Sequence, residues 1–383
     1  MDETRTEIQF SSSSVFYPCF ILGSVFMRLG LVFTWFFEKA PSMPGRRPRY
    51  PGKNPRRFDQ KYKEHQPDRY AADVARVVEA GKTPAGSHRP ILVREILEVL
   101  VPKPGEVAVD ATLGFGGHAR ELLLAVQPGG RLIGVDADPI ELPRAEARLL
   151  ALGTPAGSVT VRRMSFAGLA ALVRAEATEG VDVVLADLGL SSMQIDDPAR
   201  GFTYKADGPL DMRMNPTRGR SAADLLSTLG VAGLARILRE NADEPLADDL
   251  AAAILGAHAD RPLTTTKALA GVVRSASRLG LPADDAVRRV FQAIRIAVND
   301  EFAALDALLK VLPGCLKPGG RAVILSFHSG EDRRVKLAFQ AGLADGSYAS
   351  IAAEPTRASG EERRANPRST SAKLRYAVRS GGV

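Results

Sequence analysis

The sequence predicts an α/β protein: a doubly wound parallel sheet with helices on both faces, an inserted all-helical segment and a flexible N-terminal leader. Three observations predict it. Between residues 91 and 187 short apolar runs alternate with helical patterns, as in β-α-β units. The first run leads straight into a glycine-rich turn and then a helix. From about 205 to 285 helical periodicity continues with no convincing strand, so the sheet is interrupted and resumes later.

Each element has its own signal. Ile91 to Leu100 carries apolar residues at 92, 93, 96, 97 and 100, one face of a helix that precedes the first strand. Strands are expected at Val107–Val109, Arg131–Val135, Val159–Arg162 and Val181–Ala186, with a helix at Ala119–Val126 after the glycine turn. In the insertion, helices are expected at Ala222–Thr228, Val231–Arg239, Ala247–Ala257 and Thr264–Ala276, with Ser221 as an N-cap. A long helix from about Asp285 to Leu312, a Lys317-Pro318-Gly319-Gly320 turn, a strand Ala322–Phe327 and a last strand Leu374–Val378 complete the sheet. The expected units are thus a leader (1–86), a first core part (87–204), the helical insertion (205–285) and a second core part (286–383).

The leader is the least ordinary stretch. Residues Val15 to Phe37 are nearly all apolar, and a run of about 20 such residues can span a bilayer. Arg28 within it is costly in a membrane, and no basic flank precedes it as in a signal peptide. A translation start at Met27 or Met43 is therefore preferred to an anchor, and a membrane is not an expected partner. Residues 42–86 are basic, Pro-rich and weakly periodic apart from a short helical pattern at Tyr70–Ala80, and read as disordered.

Of the 383 residues, 45% are hydrophobic and 25% charged, which excludes global disorder. Two cysteines, Cys19 and Cys315, make no disulfide framework, and a reducing compartment, the cytoplasm, fits. The net charge of +7 leans towards a polyanionic partner, more so because Arg46–Lys63 and Arg357–Arg379 are basic clusters. Two solvated surfaces explain the same clusters.

The strand Val107–Val109 runs into Asp110-Ala111-Thr112-Leu113-Gly114-Phe115-Gly116-Gly117-His118. Glycines there admit a ligand close to the backbone, and the following helix N-terminus attracts negative charge. The second strand ends in Asp136, about 20 residues on, where a carboxylate accepts hydrogen bonds from ribose hydroxyls. An adenosine-containing ligand follows. The glycine pattern alone equally permits a nicotinamide dinucleotide, and with it an oxidoreductase.

Several segments together resemble one family, the RsmH (MraW) 16S ribosomal RNA cytosine-N4 methyltransferases, over about residues 88 to 379. The resemblance rests on His88-Arg89-Pro90-Ile91-Leu92, the glycine segment 110–118, Asp187-Leu188-Gly189-Leu190-Ser191-Ser192-x-Gln194 and Arg200-Gly201-Phe202. Further blocks are Asp207-Gly208-Pro209-Leu210-Asp211-Met212-Arg213-Met214, Phe291 to Asn299, Ser326-Phe327-His328-Ser329-x-Glu331-Asp332-Arg333 and Asn366-Pro367-Arg368-Ser369. It implies a Rossmann-like methyltransferase that uses S-adenosyl-L-methionine to methylate the N4 amine of a cytidine in the decoding region of 16S rRNA. The implied partner is 16S rRNA in the small ribosomal subunit, with no DNA and no metal; a homodimer is compatible with the sequence. A non-catalytic ribosome-assembly factor is the alternative outside enzymology.

By resemblance the cofactor contacts are Gly116, Gly117, His118, Asp136, Phe166, Asp187 and Gln194, with Phe166 alternatively plain core. Departures include Ala119 where Ser is common, Gly330 where Leu is usual, Asp285-Ala286 in place of His-Pro and no Tyr-Gly near Asn241. A cytosine amine is a poor nucleophile, so an acceptor near its hydrogens is needed as the new bond forms. Asp187 is the first candidate, backed by Asp211 or the 326–329 turn. His328 is expected to bind substrate or cap its loop. Arg213, Arg218, Arg220 and Arg295 are expected either on phosphates or paired with Asp207, Asp211 or Glu301.

Overall fold

A computed structural model of the chain describes residues 90–277 and 283–381. The apolar stretch 15–37, the choice of start, the leader with its pattern at 70–80, and His88 and Arg89 lie outside the described residues.

The first half alternates strictly: α1 (Val93–Leu100), β1 (Val107–Asp110), α2 (Gly117–Ala125), β2 (Arg131–Asp136), α3 (Leu142–Leu150), β3 (Val159–Arg163), α4 (Leu169–Glu176) and β4 (Val181–Asp187). After the short α5 (Ser192–Asp196) come α6 (Ala222–Thr228), α7 (Val231–Ala242), α8 (Ala247–Asp260), α9 (Thr266–Ala276) and α10 (Ala283–Val298). The sheet resumes after α11 (Glu301–Cys315) with β5 (Leu316–Ser326), α12 (Ser329–Ala344), β6 (Tyr348–Ile351), α13 (Gly360–Ala365) and β7 (Lys373–Arg379). Strand order is β3-β2-β1-β4-β5-β7-β6.

The central strands are buried on both faces, so alternate residues feed two cores. Ala108, Val183, Leu185, Val323 and Leu325 pack with α1, α2 and α3, including Ile96, Leu122 and Leu149. Their neighbours Val109, Val184, Ala186, Ala322 and Ile324 pack with α4, α11 and α12, including Leu172, Leu308 and Phe339. A third core is built mainly from α6 to α10, around Leu226, Leu238, Ile254, Val273 and Phe291, with Phe202, Leu210, Met212 and Leu263 added from loops. Helix α10 supplies Val287, Val290 and Ile294 to this core, beyond residue 285, the expected end of the insertion. Among the described residues no helix is long and apolar enough to cross a membrane.

Three expectations change. The sheet is not wholly parallel, because β7 is antiparallel to both β5 and β6. The segment Pro367–Ser371 before β7 lies at the C-terminal edge of β5, where Lys373 pairs with Ser326, and a strand entering from that edge must run backwards. The single helix at 285–312 is two, separated at Asn299 and Asp300, where Asp300 takes φ 49° and turns the chain. Strand β5 starts before the Lys317-Pro318-Gly319-Gly320 turn, which bulges out of the ladder between the pairs Val181–Leu316 and Val183–Arg321.

This topology places the site. Strands β2 and β3 lie to one side of β1, and β4 and β5 to the other. At such a reversal the loops leaving neighbouring strands part and open a crevice at the carboxyl edge.

Candidate active site

The crevice is a cavity of about 640 Å³. Its walls include Gly114, Gly117 and His118 after β1, Asp136 at the end of β2, Phe166 after β3 and Asp187 at the end of β4. Gln194, Arg213, Asn299 and His328 line it further out. Of the expected cofactor contacts only Gly116 is missing from the wall: it is the N-cap of α2 at φ 86°, a conformation glycine adopts without strain. Gly117 leaves room that no side chain could use, since a Cβ there would lie 2.5 Å from Pro90 Cγ.

The glycine turn holds itself together instead of pointing all its N–H groups outwards. Leu113 N–H donates to Val135 O at 2.8 Å, Gly114 N–H to Asp136 Oδ2 at 2.7 Å and Gly116 N–H to Leu113 O at 2.7 Å. What the glycines contribute is therefore space and curvature. The beginning of α2 has no side-chain cap, so its first N–H groups can serve an anionic ligand.

Asp136 is braced by two backbone donors, Gly114 and Asp138, the latter at 2.8 Å to Oδ1. Burial raises its carboxyl above the ordinary value despite these bonds. Phe166 begins a short 3-10 turn, lines the cavity and packs against the core beneath α4. Gln194 is largely occupied: its Oε1 accepts the Ser191 N–H at 2.9 Å and its Nε2 donates to Asp138 Oδ2 at 2.7 Å.

Asp187 sits where β4 ends, its N–H donating to Thr112 Oγ1 at 2.6 Å. The side chain is 30% exposed, yet its Oδ1 is buried with no hydrogen-bond partner among the described residues. Burial and the nearby Glu331 push this carboxyl up to about 7. Asp110, the last residue of the neighbouring β1, is raised to about 6, chiefly by burial. Asp211 contrasts with both. Burial would raise it, but Arg213 binds both its oxygens, at 2.8 and 2.7 Å, and holds it below its usual range. It is also absent from the cavity wall, so it is a poor second candidate for proton acceptor.

The turn 326–329 is equally constrained. Ser326 is buried, and His328 caps α12 through Nδ1, which accepts the Glu331 N–H at 3.4 Å, while facing the cavity. Burial alone would raise Glu331, but His328, Arg295 and the Phe327 N–H hold it low. A Cβ on Gly330 would lie 2.6 Å from Phe302 Cζ, so the aromatic ring fills the room that a larger residue would need. Arg295 is paired bidentately with Glu301, at 2.8 and 2.7 Å, and Arg220 donates to Thr228. Arg218 lines the cavity.

A family model described as the MraW methylase family matches residues 85–380. The chain belongs to that family. Among MraW relatives it is 46% identical over 343 residues to ribosomal RNA small subunit methyltransferase H 2 of Alkaliphilus metalliredigens, covering 88% of this chain and 97% of that one. It is 43% identical over 343 residues to ribosomal RNA small subunit methyltransferase H 1 of Lachnoclostridium phytofermentans, covering 88% and 93%. With Acidothermus cellulolyticus ribosomal RNA small subunit methyltransferase H it shares 42% over 315 residues, covering 77% and 94%. The nicotinamide alternative that the glycine pattern permits is not favoured in an MraW methylase.

The structure of this MraW methylase adds residues that sequence reasoning passed over. Asp138, 1% exposed, accepts from Gln194 and, at 2.9 Å, from Arg200, whose guanidinium also reaches Met214 O at 2.8 Å. Asn299 joins the turn between α10 and α11 to the 212–214 loop: Oδ1 accepts Met214 N–H and Nδ2 donates to Met212 O, both at 2.7 Å. Arg200, Asn299 and Glu331 all lie within the segments that carry the family resemblance, which was the available signal.

Proposed function

We propose that the chain transfers a methyl group from S-adenosyl-L-methionine to the N4 amine of a cytidine in 16S rRNA of the small ribosomal subunit. One observation carries the reading. A partly exposed carboxyl group with an unpartnered oxygen, Asp187, lies in the same cavity as a glycine turn and a ribose-ready carboxylate, Asp136.

The residues present fit such a donor. The open start of α2 suits its carboxylate, Asp136 its ribose, and the apolar faces of Phe166 and Met164 its flat base. When bound, S-adenosyl-L-methionine supplies an electrophilic methyl group on a sulfonium centre. Asp187 then does the chain's part of the chemistry: it accepts a hydrogen bond from the amine and takes the proton that the amine must lose. The cavity continues past Asp187 to Arg213, Arg218 and Asn299, a wall that suits a base turned out of its strand. We further assign the helical segment built around α6 to α9 to the RNA side of the site.

The test is mass mapping of small-subunit rRNA from cells with and without the gene, joined to methylation of small subunits by the purified chain. A cytidine that carries a methyl group only when the gene is present supports the reading; an unaltered map overturns it.

A further inference from the structure

His118 lies at 8% exposure, with each ring nitrogen committed. Nε2 is 2.9 Å from the carbonyl oxygen of Ile91. A carbonyl only accepts, so Nε2 carries the hydrogen and Nδ1 of the neutral ring presents a lone pair. That lone pair faces Asp187 Oδ2 at 3.4 Å. Two acceptors opposed in a buried site are favourable neighbours only when one proton lies between them.

The surroundings favour that proton. Acidic groups face the pair from four elements: Asp110 from β1, Glu121 from α2 and Glu362 from α13 act on His118, and Glu331 from α12 acts on Asp187. Among the described residues Asp187 receives no donor from Lys or Arg, unlike Asp332, which holds Lys373 at 2.8 Å and Arg375 at 2.7 Å. Burial lowers the His118 imidazole and raises Asp187, so both prefer to be uncharged.

We propose that His118 is a positioning residue for methyl transfer, its Nδ1 lone pair accepting the hydrogen of Asp187 once that carboxyl group has taken the amine's proton. The inference rests on Asp187 being the acceptor, as proposed above. The nitrogen–carbon bond forms as the carbon–sulfur bond breaks, and the electron pair of the broken bond stays on sulfur. The amine's proton passes to Asp187 Oδ2 and is then shared with His118 Nδ1. The positive sulfonium and the negative carboxylate are discharged together, and the product amine is neutral. His118 also needs no contact with the cofactor to matter, which separates this role from the one its sequence position suggested.

The ligand-free full chain, labelled with 15N in histidine, tests this first in its unaltered form. The expected result is the Nε2–H tautomer throughout, with the Nδ1 resonance moving as Asp187 titrates, at the midpoint that the pH dependence of kcat also shows. In Asp187→Asn that movement disappears, because the amide donates to Nδ1 at every pH. An Nδ1–H tautomer, an imidazolium persisting between about pH 6 and 8, or a titration unchanged by Asp187→Asn overturns the proposal. In the kinetic arm His118→Phe lowers kcat about 10²-fold, the lower end for a proton-transfer group, with KM for S-adenosyl-L-methionine unmoved. Full methylation by Asp187→Asn sinks the acceptor reading itself; loss with Asp187→Asn but wild-type kcat and pH profile with His118→Phe sinks only the role of His118.

Discussion

Asp136 accepts the Gly114 N–H at 2.7 Å, so the residue that ends β2 also fixes the turn that follows β1. Ligand recognition and loop shape are therefore coupled through one carboxyl group. Asp136→Ala removes a hydrogen-bonding partner of the ribose and frees the glycine turn. Charge-assisted bonds contribute about 1.5–3 kcal/mol each, so affinity for S-adenosyl-L-methionine should fall by about 10- to 100-fold. Titration calorimetry measures it, and an unaltered Kd would mean that the ribose is held elsewhere.

Asp187→Asn should abolish methylation of small subunits while leaving the protein folded. In the unaltered chain, activity should rise with pH through about 7 as Asp187 ionises and becomes able to accept a proton. The same shift has a stability consequence. Its folded-state value is raised above the ordinary 3.8, so protonation favours the folded state, and the contribution present at acid pH is lost as pH rises towards about 7. Asp187→Asn removes that loss. Its thermal midpoint should exceed that of the parent above neutral pH and approach it in acid; equal midpoints at both ends would show that the carboxyl group is not strained by burial.

Asn299 makes three side-chain hydrogen bonds, to Met212, Met214 and the carbonyl of Arg295. Met212 has φ 62°, a strained value for a side-chain-bearing residue, and relies on this clasp. Asn299→Ala should loosen the RNA half of the cavity and raise KM for small subunits by about tenfold, corresponding to about 1.4 kcal/mol. Affinity for S-adenosyl-L-methionine should not move. A KM effect on the methyl donor instead would place Asn299 on the other side of the site.

Gly208 has no room for a methyl group, because a Cβ would lie 1.8 Å from the carbonyl oxygen of Pro198. Backbone, not a flexible side chain, is what it would strike. Gly208→Ala should destabilise the protein by about 3 kcal/mol or more. Chemical denaturation with an unchanged midpoint would refute that contact.

Much of the fold is legible because its signals are local. The strands β1 to β4 end within one residue of their apolar runs, and Ser221 caps α6 with Asp224 completing a reciprocal pair. The break at Asn299 is not legible in the same way, since both α10 and α11 have apolar faces and the turn is held by residues 85 and 87 positions away. Strand β6 was missed for a related reason: Tyr348–Ile351 is four residues long and becomes a strand only by pairing with β7. In the site, the family resemblance named Gly117, His118, Asp136, Phe166, Asp187 and Gln194, and the fold brings all of them to one cavity. It did not foresee that Gln194 is engaged with Asp138, or that Gly116 shapes the turn from behind.

Apolar periodicity, glycine placement and capping residues act over a few positions, so the sequence by itself determined the order of elements, the glycine turn and the carboxylates at the strand ends. What those groups are able to do was decided by tertiary structure alone. The proton affinity of Asp187 depends on its burial and on Glu331, which α12 brings to it from a distant part of the chain, and α2 sets His118 Nδ1 3.4 Å from its Oδ2. Electrostatic energy is set by distance and dielectric in three dimensions, and neither is written in the order of residues.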